Sequence, residues 1–262
     1  SKDKKYDLDS NNYTIGLDYR YDDNFVMGIA FGASDSILEF NSTGSTTENK
    51  SNSMLYYSSW SLDRFYISNT IGVTYGKINT ERKINIGSFN ATALGKTDTY
   101  QILLQLNTGY DFISGAFSYT PYIKLDLLDG LINSYAESNG GGFELAFRSQ
   151  DIKSQLLTLG GQAQYALSYD WGVLLPNTRF EVKNEFMKNP DPIKARFLLA
   201  SSDTSFYIDP GQIDEQWFQL GAGVTAIFQY GLSAYFDIEM TTGLNDFQLY
   251  TYSYGGRWEL SF

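Results

Sequence analysis

The last thirteen residues, 250–262, alternate between two kinds of side chain. Phe262, Leu260, Trp258, Gly256, Tyr254, Tyr252 and Tyr250 share one parity, and Ser261, Glu259, Arg257, Gly255, Ser253 and Thr251 share the other. Successive side chains of a strand point to opposite faces, so the segment is a strand with an apolar face and a wet face. Its length is the constraint. A tilted strand that crosses a bilayer needs about 9–11 residues, whereas strands of globular proteins are usually about 5–6 long.

The pattern recurs along the chain. Tyr13, Ile15, Leu17 and Tyr19 form one apolar row, and Phe25, Met27, Ile29 and Phe31 the next. Further rows follow at 54–60, 65–75, 100–110, 119–127, 157–167, 178–186, 218–228 and 232–240. Pro121 predicts a bulge or a local break in its ladder. The connections near 21, 62, 113, 169 and 230 are tight. Those at 41–52, 77–97, 128–153 and 187–215 are long and polar, the last with room for a short hairpin near 195–207. Short turns at one end and long loops at the other are the asymmetry of outer-membrane barrels, with the short turns on the periplasmic side. A soluble sandwich has no reason to sort its connections this way.

The predicted fold is therefore all-β: one antiparallel transmembrane outer-membrane β-barrel over residues 1–262. About eleven strands are legible. Single-chain bacterial barrels have even strand numbers, so the complete barrel is expected to hold about twelve. The first and last strands both run toward the tight-turn side. This predicts that one strand of the opposite direction is missing from this chain or is supplied to it. Residues 1–7 are polar and charged and do not read as a secretory leader, so an exported chain would be a mature or trimmed piece.

Composition narrows the chemistry. The mean hydropathy is slightly negative, as expected where only alternate residues meet lipid. No apolar run is long enough for a transmembrane helix. A net charge of −11 argues against nucleic acid as a partner. The chain has no His and no Cys, so triads built on histidine and thiol chemistry are excluded, and no enzymatic activity or cofactor is expected. The paired carboxylates Asp237 and Glu239 alternate within a barrel strand and read as lumen groups. Asp203, Asp209, Asp214 and Glu215 share one loop, but their spacing fits no EF-hand loop, and no metal is assigned.

The wet faces should line the pore. Arg179, Glu181, Lys183 and Glu185 form the densest ladder, and Lys124, Asp126, Asp237, Glu239, Arg257 and Glu259 add further inward charges. Alternating signs can pair with charges on neighbouring strands. The ladder reads first as a stabilising ion-pair network and, compatibly with that, as a hydrated wall along which a helix or extended chain can lie. Interpolating barrel width, twelve strands leave a lumen of roughly 10 Å, enough for one helix or two extended strands. Tyr19, Tyr75, Tyr110, Tyr165 and Trp258 fall toward strand ends, where amphipathic aromatics suit the headgroup region.

Several segments together resemble the autotransporter β-domain, the translocator of type Va secretion. They are Tyr13-Thr-Ile-Gly-Leu-Asp-Tyr-Arg20, Thr120-Pro-Tyr-Ile-Lys-Leu-Asp126, Ser134-Tyr-Ala-Glu-Ser138, Leu157-Thr-Leu-Gly-Gly161, Trp171-Gly-Val-Leu-Leu-Pro176, Ala195-Arg-Phe197, Phe218-Gln-Leu-Gly-Ala-Gly223 and Arg257-Trp-Glu-Leu-Ser-Phe262. The resemblance covers nearly the whole chain in order. It departs at the front, where the family's first strand and the helix that precedes it inside the pore are absent. It implies an outer-membrane anchor that passes an N-terminal passenger to the cell surface. It also implies, as partners, the lipid bilayer with its lipopolysaccharide, the barrel-assembly machinery, and the chain's own passenger or pore helix. By the same resemblance, Trp258, Leu260 and Phe262 form the assembly signal. The other reading of the same pattern is a stand-alone outer-membrane pore or adhesin barrel with its function in the long loops.

Overall fold

The computed structural model describes residues 6–187, 190–200, 204–211, 213–245 and 248–259. The strands are β1 (Tyr6–Arg20), β2 (Phe25–Phe40), β3 (Ser45–Leu62), β4 (Phe65–Ile86), β5 (Phe89–Tyr110), β6 (Phe112–Ser114), β7 (Phe117–Ile132), β8 (Tyr135–Ala136), β9 (Leu145–Phe147), β10 (Gln150–Tyr165), β11 (Leu167–Tyr169), β12 (Gly172–Glu185), β13 (Ile193–Phe197), β14 (Phe206–Ile208), β15 (Gln216–Phe228), β16 (Leu232–Thr242) and β17 (Leu249–Trp258). The main sheet runs β1-β2-β3-β4-β5-β7-β10-β12-β15-β16-β17, every neighbour antiparallel, with β6 and β11 as short side pieces. These are the eleven long strands read from the alternation. Each pairs with its successor, most of them through short hairpins that make the next strand in sequence the nearest in space, while β7–β10 and β12–β15 are joined by long connections.

The apolar rows end where a bilayer would end. On β4 the outward row runs from Phe65 to Tyr75, and on β5 from Tyr110 back to Tyr100, with these residues exposed. Tyr75 and Tyr100 meet at 5.3 Å at the top of that belt, and Tyr110 and Phe112 meet at 4.9 Å at its foot. Tyr169, Trp171 and Phe228 form a second cluster at the tight-turn end, with ring centroids 5.4 and 5.3 Å apart. Tyr19, Tyr165 and Trp258 are exposed at the same end of their strands.

Two expected loops are strands. Residues 41–52 reduce to a turn at 41–44, after which β3 begins at Ser45, and residues 77–97 are the outer half of the β4–β5 hairpin, closed by a turn at 87–88. Past the tyrosine rung there is no lipid, so the outward face no longer needs apolar residues and the alternation signal fades. Backbone pairing continues without it: the β4–β5 ladder holds one register from Phe65↔Tyr110 to Ile86↔Phe89. Each of these strands is 22 residues long and rises roughly 35 Å along its axis above the tyrosine rung.

Of the other two long connections, 128–153 shortens to 133–149 as β7 runs to Ile132 and β10 begins at Gln150, and it folds together with the connection after β12. Residues near 195–207 form the expected hairpin, β13 with β14, which joins β9 and β8 in a small sheet of order β14-β13-β9-β8. The break expected at Pro121 is present: β5 pairs with β7 as far as Gly109↔Tyr122, and the ladder resumes only at Phe112↔Tyr119. Pro121 offers no N–H to that side.

Leu104 stands midway between the two aromatic rows of β5, on the lipid side. Leu104→Arg is expected to destabilise the folded barrel by about 2–4 kcal/mol. The check is urea unfolding in detergent micelles, followed by the heat-modifiable gel shift. An unchanged midpoint would contradict the facing of β5.

Candidate pore and its outer mouth

The inward charges pair with one another. The Arg179 guanidinium reaches Glu239 at 2.5 Å and lies 3.9 Å from Glu181, and Lys183 meets Glu181 at 3.1 Å. Lys124 lies 3.7 Å from Asp126, which also accepts from Gln105 at 2.6 Å. Glu181 is 5% exposed, so its charge is tolerable only because cations and a phenol surround it. Asp237 lies against Gly223 on the inward face. Glu185 takes a different part. At the end of β12 its carboxylate accepts from the backbone N–H groups of Gln155 and Met187, and from the Ser154 hydroxyl. It closes the strand end locally instead of facing the lumen as a free charge.

The register explains how these pairs form across strands that are not neighbours. Arg179 of β12 stands opposite Gly221 of β15, which stands opposite Glu239 of β16. The guanidinium lies across the glycine, and a Cβ there would meet it at 3.3 Å. The same device recurs along one rung: Tyr66, Gly109, Tyr122, Gly160 and Glu181 are successive partners on β4, β5, β7, β10 and β12. Tyr122 lies across Gly160 and donates to Glu181 at 2.5 Å. A third case is Tyr57, which crosses Gly28 to reach Asp18 at 3.3 Å. At Gly28, Gly109 and Gly160 a Cβ would fall 2.4, 2.7 and 2.4 Å from the tyrosine ring that crosses it, so a side chain there would occupy the space of the ring. Sequence reading passed over the inward tyrosines. An inward glycine in the strand after an inward tyrosine was the available signal, but it becomes readable only once the register is known.

The first and last strands meet through side chains. Arg257 of β17 binds Asp18 of β1 at 2.9 Å, and Arg20 lies 3.8 Å from Glu259. Among the described residues these strands share no ladder. Both run toward the tight-turn end. A cleft of about 360 Å³ separates them at the far end, lined by Tyr6, Leu8, Ile37 and Leu249 among others. On β1 the outward residues Ile15 and Leu17 are 76% and 77% exposed, against 48% for Ile71 inside the sheet.

Above the membrane belt the inner face carries most of the buried apolar side chains among the described residues: Ile84, Ala93, Leu145 and Ala195. The chain after β7 keeps alongside β5, with Leu94 and Ser138 exchanging both backbone hydrogen bonds. Tyr135 therefore turns inward over Gly95, and Glu137 turns inward to Arg82. Arg82 holds Glu137 through two bonds of 2.9 and 2.6 Å, and also donates to the Phe143 carbonyl. The Glu137 carboxylate raises the Arg82 guanidinium above its ordinary pKa. Burial raises the Tyr135 phenol, partly offset by Thr80. Glu144 is held below its ordinary value by backbone N–H groups of its own turn. These contacts tie the loop segments to the tall hairpin and hold the mouth in one shape.

The acidic loop is used within the mouth: Asp209 accepts from the Gly211 N–H in its own turn, and Asp214 accepts from the Asn245 N–H in the connection after β16. Asp203 lies outside the described residues. Among the described residues no metal-ligating cluster forms. Of the assembly-signal residues, Trp258 ends β17 on the outward face, exposed, while Leu260 and Phe262 lie outside the described residues.

Gly160→Val places two methyl groups where the Tyr122 ring lies. It is expected to displace the ring, break its bond to Glu181 and cost about 1–3 kcal/mol, the range for overpacking. Urea unfolding of the refolded barrel measures this. The same change at Gly115, whose turn is open around it, is expected to act only through its positive φ.

Comparison with known proteins follows the geometry. In structure the chain is similar to the translocator domain of the autotransporter NalP from Neisseria meningitidis, with TM-score 0.76, 15% identity, and 97% of this chain and 82% of that one covered. It is similar to the beta domain of the Bordetella autotransporter BrkA, with TM-score 0.69, 16% identity, and 97% and 91% covered. It is also similar to the transport unit of AIDA-I from Escherichia coli, with TM-score 0.55, 9% identity, and 99% and 86% covered. Comparison with curated protein sequences gave no match. The family described as the autotransporter beta-domain matches residues 1–239. A greasy belt outside, paired charges inside and a match over nearly the whole length agree: the chain belongs to the autotransporter β-domains, the outer-membrane translocators of Gram-negative bacteria.

Proposed function

We propose that an exported polypeptide, extended or as a helix, occupies the lumen against the paired charges of β7, β12 and β16. The observation that carries this is the self-neutralised inner wall. Lys124, Arg179 and Lys183 are each matched by Asp126, Glu181 or Glu239, so the wall is wet without presenting a strong field of one sign. Such a wall hydrates a passing chain and gives it few places to stick. The downward directions of β1 and β17 support a further part of the reading: one upward strand fits between them and completes the ladder. No catalytic step is assigned to the domain. The carboxylate Glu239 is already held by Arg179, and the chain has neither His nor Cys. It carries no nucleotide-binding loop either, so folding of the passenger outside the cell, with the assembly machinery, is the proposed source of drive.

The absence of cysteine makes the lumen directly testable. Gln162 faces the pore, and Leu159 faces lipid on the same strand. With a cysteine-bearing passenger fused upstream, Gln162→Cys is expected to form disulfide-linked export intermediates in cells, and Leu159→Cys none. Equal trapping at both sites, or trapping only at Leu159→Cys, contradicts the lumen reading. For the proposed assembly signal, deletion of Phe262 is expected to lower the heat-modifiable barrel in outer membranes several-fold. Normal amounts would mean that the assembly machinery does not need that residue.

A further inference from the structure

The seam repeats a device that elsewhere spans three strands. Arg179 passes over Gly221 of β15 to bind Glu239 at 2.5 Å, two strand spacings or roughly 9.5 Å across the sheet. Arg257 binds Asp18 across the seam at 2.9 Å, with no described strand between them. Two residues further down each strand, Arg20 lies 3.8 Å from Glu259. The charges change sides between these two pairs, but the offset is the same. The inward rows of β1 and β17 are therefore level: Asp18 with Arg257, Arg20 with Glu259, and, one rung higher, Gly16 with Gly255. Asp18 is held from its other side as well, by Tyr57 across Gly28.

The rung of Gly16 and Gly255 carries a tyrosine whose crossing has no end. Tyr235 of β16 is the partner of Gly255. A Cβ at Gly255 would fall 2.6 Å from the Tyr235 ring and 2.8 Å from its hydroxyl, much as a Cβ at Gly160 would fall 2.4 and 2.7 Å from those of Tyr122. The ring therefore lies across β17 toward the seam. Tyr122 and Tyr57 each end on a carboxylate of the strand beyond their glycine, Glu181 and Asp18. Tyr66, which crosses Gly109, is met instead by Asn107, two residues up on the glycine's own strand. At that place β17 has the shorter Ser253. Among the described residues the Tyr235 hydroxyl has no hydrogen-bond partner. Its residue is 45% exposed, where Tyr57 and Tyr122 are half-buried.

We propose that the strand completing the ladder is selected at two inward positions. The first lies between Arg257 and Asp18 and is glycine, so that the guanidinium passes over it as Arg179 passes over Gly221. The second comes two residues later in an upward strand and lies between Gly255 and Gly16. It carries a carboxylate that accepts from the Tyr235 hydroxyl, as Glu181 does from Tyr122. Bare glycines on both flanks leave room for that side chain. The residue between the two positions faces lipid and is apolar. Glycine, apolar, acidic is thus the order the seam demands. It fixes the register, because a slip of one residue would turn the carboxylate to lipid. The inference rests on the reading that an upward strand fills the seam, and it adds what that strand must carry.

The test uses the full chain refolded in a neutral detergent and titrated, in native mass spectrometry, with synthetic strands of about eleven residues, enough to cross a bilayer. The reference peptide alternates leucine and threonine, with glycine and aspartate at successive inward positions. In the comparison peptides the aspartate is replaced by alanine, the aspartate is moved two residues on, or the glycine is replaced by valine. Wild type is expected to hold the reference about fivefold or more tightly than the first two, as a hydrogen bond to a charged group allows. Tyr235→Phe is expected to hold the reference and alanine peptides equally. The valine peptide is expected to bind wild type several-fold more weakly than the reference, and Arg257→Ala to remove that difference. Equal affinity of wild type for the aspartate and alanine peptides overturns the proposal. So does a preference for aspartate that persists in Tyr235→Phe, or an indifference of wild type to valine. Should wild type reach its heat-modifiable form and bind none of the peptides, the reading that a strand fills the seam is itself contradicted, and the proposal falls with it.

Discussion

Lipid leaves a backbone amide no partner but another backbone. An unpaired N–H or C=O in the hydrocarbon layer costs several kcal/mol, so a sheet that crosses it must pair at every residue and must leave no edge. The ladders of this chain answer the first demand from β1 with β2 through to β16 with β17, with an interruption between β5 and β7 at Pro121. The second demand falls on one place, the seam. There, two strands of the same direction face each other, and among the described residues Arg257 with Asp18 and Arg20 with Glu259 join them. The apolar belt, the hairpin order and the inner charges all follow from meeting the first demand. The exposed outward rows of β1 mark where the second stands open.

The inner wall shows how a barrel can carry long polar side chains without filling its own bore. Where Tyr122 or Arg179 would project toward the axis, a glycine on the next strand lets it lie flat along the wall, with its polar tip on the strand after that. Each such crossing spans three strands. It replaces solvation of a buried charge by a short bond within the wall, so Glu181 can be both ionised and nearly inaccessible. It also couples strands that share no backbone bonds.

Much of this was legible in the residue order. Alternation gave the long strands, their facing and the tight-turn ends, because lipid enforces an apolar residue at every second position. Pro121 and the hairpin at β13 and β14 were legible for a similar reason, each being local chemistry. The outer halves of β3, β4 and β5 were not. Segments such as Asn79, Thr80 and Glu81 are polar on both faces once clear of the membrane, and they read as loop although their ladder is unbroken. The charge ladder on β12 was found, but its partners were not, because Arg179 and Glu239 lie 60 residues apart and meet only through a register that alternation does not fix. Arg82 and Glu137 were missed for the same reason.

The strands shorten around the barrel, from 22 residues in β4 and β5 to 16 in β10, 13 in β15, 11 in β16 and 10 in β17. Since all start near one level, the rim is cut obliquely, like the bevel of a needle. A polypeptide leaving such an opening is unsupported first on its low flank, next to the seam, while the high flank still shields it. The bevel gives the exit a bearing as well as a height, and sets the side on which the first emerging turn of chain has room to fold.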